Sequence, residues 1–240
     1  MSISKNILVI LAGGSGVRYG ADMPKQYTLV NGKELLQYSI DEMRKSEKMD
    51  RLLVVLNNDP EEISRVKSLY GVEVVIGGTE RAYSFQNALD YIHDHYPECR
   101  KVIFHEAARP LVTHDVMDLY FDLLDQYDYV ESCRKINDSL GSYVVQAPRR
   151  EDYYLIQAPE AYRISVLEQY YHCDSDIYFA ANQFPPFIRG YQYFGIKNNI
   201  KLTTPEDRSL IEYLISHPGL QKSACLDTGI SARYDKMVVR

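Results

Sequence analysis

The chain has no tryptophan and only four cysteines in its 240 residues. Cys99, Cys133, Cys173 and Cys225 show no CxxC spacing and no partnered histidine motif, which argues against both a zinc site and a disulfide framework. His172 and Cys173 are adjacent, so they do not form a spaced ligand pair. Long apolar runs are also missing. Nothing approaches the ~20 residues of a membrane span, and the N-terminus has no signal-peptide pattern. Nor is there an excess of positive charge. The formal net charge is −6, whereas a general nucleic-acid binder is usually basic. The expectation is a cytoplasmic, reduced protein with no membrane or nucleic-acid partner. A small anionic substrate stays open, because a site needs only local cations. There is no internal repeat and no low-complexity segment.

Two familiar nucleotide motifs are absent as well. Gly14-Ser15-Gly16 would need Gly or Ala at position 19 to complete a dinucleotide fingerprint, and position 19 is Tyr. No Gly-Lys-Ser/Thr follows four intervening residues, so there is no Walker loop. What is present is Ala12-Gly13-Gly14-Ser15-Gly16-Val17-Arg18, directly after the apolar run Ile7-Leu8-Val9-Ile10, with Pro24-Lys25-Gln26 a few residues on. A buried strand that breaks into a glycine-rich turn is a phosphate- or nucleotide-binding arrangement. Glycines let the backbone approach a ligand, and successive N–H groups form an anion nest. Arg18 and Lys25 add cations within reach of that loop.

Apolar runs at 6–11, 51–56, 72–76 and 101–105 read as strands, and amphipathic segments at 34–46, 60–70, 81–95, 114–126, 163–171 and 205–216 as helices. Asp59-Pro60-Glu61-Glu62 and Thr204-Pro205-Glu206-Asp207 look like helix starts: a capping side chain, Pro in the first turn, then acids. The alternation predicts an α/β fold, a mainly parallel sheet with helices on both faces. The loops after residues 11, 76 and 105 should then converge at the carboxyl ends of the strands. Residues 128–158 break the rhythm. Tyr127 to Cys133 and Ser142 to Gln146 read as an antiparallel excursion, a protruding β-arm of the kind that mediates dimerisation. Residues 1–218 are expected to form one domain, and 219–240 a tail or accessory segment.

Further segments at the ends of predicted elements carry chemistry. Gly77-Gly78-Thr79-Glu80-Arg81-Ala82-Tyr83-Ser84 opens a helix, which suits a nucleobase or ribose contact. His105-Glu106-Ala107-Ala108-Arg109-Pro110 ends an apolar strand, and an acid there suits Mg²⁺ held between phosphates. Asn198-Asn199-Ile200-Lys201 precedes a helix start.

In order and spacing these pieces resemble the nucleotidyltransferase family that uses CTP on 2-C-methyl-D-erythritol 4-phosphate, ribitol 5-phosphate or related polyol phosphates. The likeness covers about residues 6–215. It implies a Rossmann-like nucleotidyltransferase sheet and a homodimer built through the arm. It implies in-line attack by an acceptor phosphate, from a phosphorylated polyol or sugar, on the α-phosphorus of CTP. By the same resemblance Arg18, Lys25 and Lys201 neutralise charge in catalysis. Ala12, Gly13, Gly14, Ser15, Gly16, Gly77, Arg81 and Ser84 bind the nucleotide. Arg109, Ser139, Arg150 and Ser175 serve the acceptor, Arg150 from the second subunit, and Glu106 holds Mg²⁺. The chain departs from the family pattern where an Asp becomes Glu106, where Gln-Thr-Pro-Gln becomes Gln157-Ala158-Pro159-Glu160, and where an acidic acceptor segment shrinks to Ser175-Asp176-Ile177. The drift sits mainly in the acceptor half, which implies a changed acceptor and an activated unit for a cell-surface polymer. Isoprenoid-precursor synthesis and a non-catalytic nucleotide-binding homologue are the alternatives.

Overall fold

Ile7, Leu8, Val9 and Ile10 of β1 (Lys5–Leu11) are all fully buried, because helices cover both faces of the sheet around β1. Leu8 and Ile10 pack on one face against α1 (Leu35–Met43), α2 (Pro60–Tyr70) and α4 (His114–Leu123). Ile7 and Val9 pack on the other, against α3 (Arg81–His95) and α5 (Ile164–Tyr170). Burial on both faces is what turns a parallel strand into a continuous apolar run. The computed structural model describes residues 5–14, 24–144, 146, 149–220 and 229–231.

Around β1 lie β4 (Arg51–Leu56), then β5 (Glu73–Ile76), on one side and β6 (Cys99–Glu106) on the other, all parallel. A short hairpin, β2 (Leu29–Val30) and β3 (Lys33–Glu34), precedes α1. The chain therefore winds outward through β4 and β5, then returns to the far side of β1 at β6. That reversal opens a crevice between the ends of β1 and β6, where ligands of such sheets bind. Beyond β6 the sheet continues with β8 (Tyr154–Arg163), β7 (Tyr129–Lys135), β9 (Gly190–Tyr193) and β10 (Gly229–Ser231). Pairings β6–β8, β7–β8 and β9–β10 are antiparallel, and β7–β9 is parallel. Two more helices complete the order, α6 (Ala180–Gln183) and α7 (Pro205–Ser216).

The expected α/β architecture holds, with helices on both faces. Both predicted helix starts form. Asp59 accepts from the backbone N–H groups of Glu61 and Glu62, and Thr204 and Asp207 make a reciprocal capping box. The arm differs from its expectation. The strand read at 127–133 belongs to the main sheet, buried between β8 and β9. Ser142, Tyr143, Val144 and Gln146 are not strand, and Tyr143 and Val144 are almost wholly exposed. Their pattern suits a strand, but within the chain no neighbouring strand supplies a ladder among the described residues. The excursion thus narrows to the connection between β7 and β8.

β8 forms although Pro159 sits inside it. Pro lacks the N–H that a ladder needs, so it is tolerated at irregularities. The β7–β8 register shifts between Glu131 and Ser132, and the Ser132 hydroxyl donates to the Pro159 carbonyl at 2.6 Å. From the expected tail, Gly229–Ser231 adds an edge strand to β9.

Candidate active site

The strand ladders run on past the strands themselves. The Ala12 N–H donates to Val55 O at 2.9 Å, Gly77 N–H to Leu56 O at 2.7 Å, and Ala107 N–H to Leu11 O at 3.1 Å. The first residues after β1, β5 and β6 are thereby held beside the ends of the neighbouring strands. Above them lies a cavity of about 310 Å³. Its lining includes Ala12, Gly13, Gly14, Lys25, Arg81, Ser84, Glu106 and Lys201, eight residues singled out from the sequence. Ser15, Gly16 and Arg18 lie outside the described residues.

The two glycines of the loop have different reasons. A Cβ on Gly13 would come within 3.1 Å of the Asn57 side-chain oxygen, a tight contact that Asn57 would have to relieve by a few tenths of an ångström. At Gly14 a Cβ would meet only the Lys25 side chain at 3.7 Å, an ordinary contact. Gly77 lies behind the cavity, where a Cβ would press on Ser84, Val55 and the Leu56 carbonyl. It is Gly78 that lines the wall. Ser84 Oγ accepts from the Gly78 N–H at 3.1 Å and closes this turn onto α3.

Glu106, at the tip of β6, is the electrostatic centre. Its Oε2 accepts from Arg109 Nε at 2.9 Å and its Oε1 from Lys201 Nζ at 2.9 Å, with Arg81 Nε 3.8 Å away. Burial alone would raise this carboxyl. Arg109, Lys201 and Arg81 outweigh burial and hold it at about 2, so Glu106 is ionised at any working pH. Arg81 also ion-pairs with Glu160, which is buried and accepts from the Tyr162 hydroxyl. The Arg81 guanidinium lies 5.5 Å from the Tyr178 ring centroid and 5.3 Å from that of Phe179. His105, next to Glu106 in sequence, is fully buried with neither ring nitrogen hydrogen-bonded, and burial pushes it down to about 4. It packs behind the site as a neutral ring.

Lys201 reaches Glu106 because its segment is pinned on both sides. The Leu202 N–H donates to Ala108 O at 2.8 Å, and Leu202 is fully buried. Asn199 donates through Nδ2 to Ala158 O at 2.7 Å, and its carbonyl accepts from Arg109 Nη1 at 2.9 Å.

A family model described as "IspD: 2-C-methyl-D-erythritol 4-phosphate cytidylyltransferase" matches residues 6–217. The chain belongs to the IspD family. It is therefore a cytidylyltransferase domain, of the nucleotidyltransferase class. A 2-C-methyl-D-erythritol 4-phosphate cytidylyltransferase of Thermosipho melanesiensis is 29% identical, over 86% of this chain and 96% of that protein. A bifunctional ribulose 5-phosphate reductase/CDP-ribitol pyrophosphorylase of Haemophilus influenzae is 28% identical, over all of this chain and 55% of that protein. The crystal structure of a 4-diphosphocytidyl-2C-methyl-D-erythritol synthase from Anaerococcus prevotii has the same fold. Its TM-score is 0.73 at 23% identity, over 89% of this chain and 99% of that one.

Among the residues assigned to the acceptor of this IspD-family chain, the structure places only Arg109 near the cavity, and it is engaged with Glu106 and Asn199. Ser139 is exposed on the β7–β8 connection. Arg150 is also exposed there, bonded to the Asn137 carbonyl and 3.1 Å from Glu151. The Ser175 hydroxyl accepts from the Ile177 N–H at 3.1 Å and lines no wall of the cavity. Sequence reasoning missed Gln26, Asn57, Thr79, Glu80 and Tyr178, all of which line it. For Asn57 a signal existed: it directly follows a predicted parallel strand.

Mg²⁺ takes one or two carboxylates together with phosphate oxygens. Among the described residues no group of three His, Cys, Asp or Glu side chains stands ready to hold a metal. Glu106 and Glu80 are the carboxylates on the cavity wall. Each Glu106 oxygen accepts one of the hydrogen bonds above and keeps a second lone pair. That donor set fits an ion arriving with a polyphosphate.

Proposed function

We propose that this IspD-family chain transfers CMP from CTP to a phosphorylated polyol or sugar, releasing pyrophosphate, and that the product is an activated unit for a cell-surface polymer. The observation that carries the reading is the cavity itself, with the glycine turn on one wall and Lys25, Arg81, Glu106 and Lys201 facing it. An oxygen of the acceptor phosphate attacks the α-phosphorus. A new P–O bond forms there, the bond to the β-phosphate oxygen breaks, and pyrophosphate departs. No covalent enzyme intermediate is needed. The protein's part is positioning and neutralisation of a crowded anionic transition state.

In this reading Gly13, Gly14 and Lys25 take the triphosphate, together with Ser15, Gly16 and Arg18. The wall of Asn57, Gly78, Thr79 and Ser84 takes the base and ribose. Lys201 and Arg81 face the transferring phosphoryl group, and Arg109 keeps Glu106 ionised and in place. Mg²⁺ would be held by Glu106 and would draw charge from the phosphates. The acceptor enters on the side of Tyr178, and Arg150 reaches it from a second subunit of a homodimer.

The polyol reading is supported by the whole-chain match to the CDP-ribitol pyrophosphorylase and by the drifted acceptor segments. Methylerythritol phosphate is the second reading, supported by the family description and by the Thermosipho relative. Pyrophosphate release, screened over the four nucleoside triphosphates and a panel of phosphorylated polyols and sugars, tests both. Turnover with CTP and ribitol or glycerol phosphate is expected. Turnover confined to methylerythritol phosphate would overturn the polymer-precursor reading. Equal use of a purine nucleotide would overturn the cytidylyl reading.

A further inference from the structure

Lys25 is carried by a three-residue 3-10 turn, Lys25–Tyr27, whose preceding residue Pro24 makes no side-chain cap. So short a turn, entered from a glycine-rich loop, does not by itself fix the direction of a long side chain. Contacts from α2 anchor the two residues that follow Lys25. The Glu62 carboxylate accepts from the Tyr27 hydroxyl and, at 3.4 Å, from Gln26 Nε2. The Arg65 guanidinium, one helical turn on, lies 4.2 Å from the Tyr27 ring centroid. Arg65 is itself held by both oxygens of Glu34, at 2.7 and 3.3 Å, and the Tyr70 hydroxyl donates to Glu34 at 2.6 Å. Tyr27 and Gln26 are both buried, and Gln26 lines the cavity beside Lys25.

From sequence, Glu62 is an acid in the first turn of a helix, suited to the helix dipole. The fold gives it a second task. We infer that Glu62 is a positioning residue for the transfer reaction: through Tyr27 and Gln26 it aims Lys25 across Gly14 into the cavity, without itself touching substrate. This rests on the reading that Lys25 neutralises phosphate charge.

The test is a double-mutant cycle between Glu62→Ala and Lys25→Ala, read by single-turnover pyrophosphate release with enzyme in excess over CTP and saturating ribitol 5-phosphate as the acceptor. A misplacement of a reacting group by an ångström or so costs up to about 10²-fold, so Glu62→Ala alone should lose about tenfold or more in rate. Glu62→Gln, whose amide oxygen still accepts from the Tyr27 hydroxyl, should recover most of the rate. In the Lys25→Ala background Glu62→Ala should cost nothing further. Tyr27→Phe keeps the ring under Arg65 and removes only the hydroxyl. It should reproduce the loss and carries the test should Glu62→Ala not fold. Losses that multiply in the double variant, or a Tyr27→Phe enzyme with unchanged rate, would overturn the inference. Normal turnover by Lys25→Ala alone would instead overturn the reading beneath it.

Discussion

Glu106 and Lys201 are 95 positions apart in the chain and 2.9 Å apart in the fold. Their pairing joins the tip of β6 to the segment before α7. It brings the carboxylate that suits a metal next to a cation that suits a transferring phosphoryl group.

From that placement, Lys201→Ala and Lys25→Ala should each lower kcat by about 10²–10³-fold while weakening CTP binding much less, because a preorganised charge matters most as the transition state forms. Steady-state kinetics alongside calorimetric CTP titration separates the two effects. Loss confined to binding would remove these lysines from the chemical step.

Glu106 links stability to pH. Its folded pKa, about 2, is below the ordinary value of 4.5, so its contribution is present above pH 4.5 and is lost as pH falls towards 2. A depression of that size corresponds to on the order of 3 kcal/mol. Urea unfolding of the wild type should weaken across this window. Glu106→Gln should start from lower stability at pH 7, with Arg109 and Lys201 uncompensated and Arg81 left to Glu160 alone, and should show a shallower fall. Parallel curves for the two proteins would contradict the pairing.

Glu106→Asp probes the same position chemically. If the longer side chain is matched to Arg109 and Lys201, shortening it should reduce turnover and raise the Mg²⁺ concentration needed for half-maximal rate. Unchanged Mg²⁺ dependence would take Glu106 out of the metal site.

Arg81 and Glu160 form a largely buried pair, with side chains 16% and 2% exposed. Removing one partner strands the other charge away from water. Arg81→Met should therefore destabilise the protein by about 3–5 kcal/mol in chemical denaturation. Arg81→Met/Glu160→Met should recover part of that loss. A double variant no better than the single would show that the cost is packing.

Arg150 is exposed on the β7–β8 connection and lines no wall of the cavity in its own chain. In a dimer with shared sites, Arg150→Ala should raise the acceptor KM and leave CTP affinity nearly unchanged. Mixing it with Lys25→Ala should regenerate some activity, since one site of a heterodimer holds both side chains. No rescue on mixing, or a monomer in sedimentation at assay concentration, would defeat the shared site.

Local chemistry settled much of this protein before any fold was known. The apolar runs of β1, β4, β5 and β6 are near-continuous because both faces of those strands are buried, and such runs announce themselves. The Asp59 and Thr204 caps are equally local, since a capping side chain and its N–H partners lie within three residues. The glycine turn and Glu106 were legible because a residue at the end of a predicted strand has a known address in a parallel sheet, whereas the roles expected of Lys25 and Lys201 came from the family resemblance. The tertiary structure decided the rest. Ser142, Tyr143, Val144 and Gln146 have a strand pattern but pair with no strand among the described residues, and β8 has a partner in spite of Pro159, because pairing depends on what the fold brings alongside. Gly78 lines the cavity where Gly77 was expected, a difference of one residue that only the close packing of Ser84 and Val55 determines. Glu160, Glu62 and Tyr178 acquired their roles from neighbours tens of positions away. A carboxylate's task is set by the charges and hydroxyls around it, and those are assembled by long-range packing.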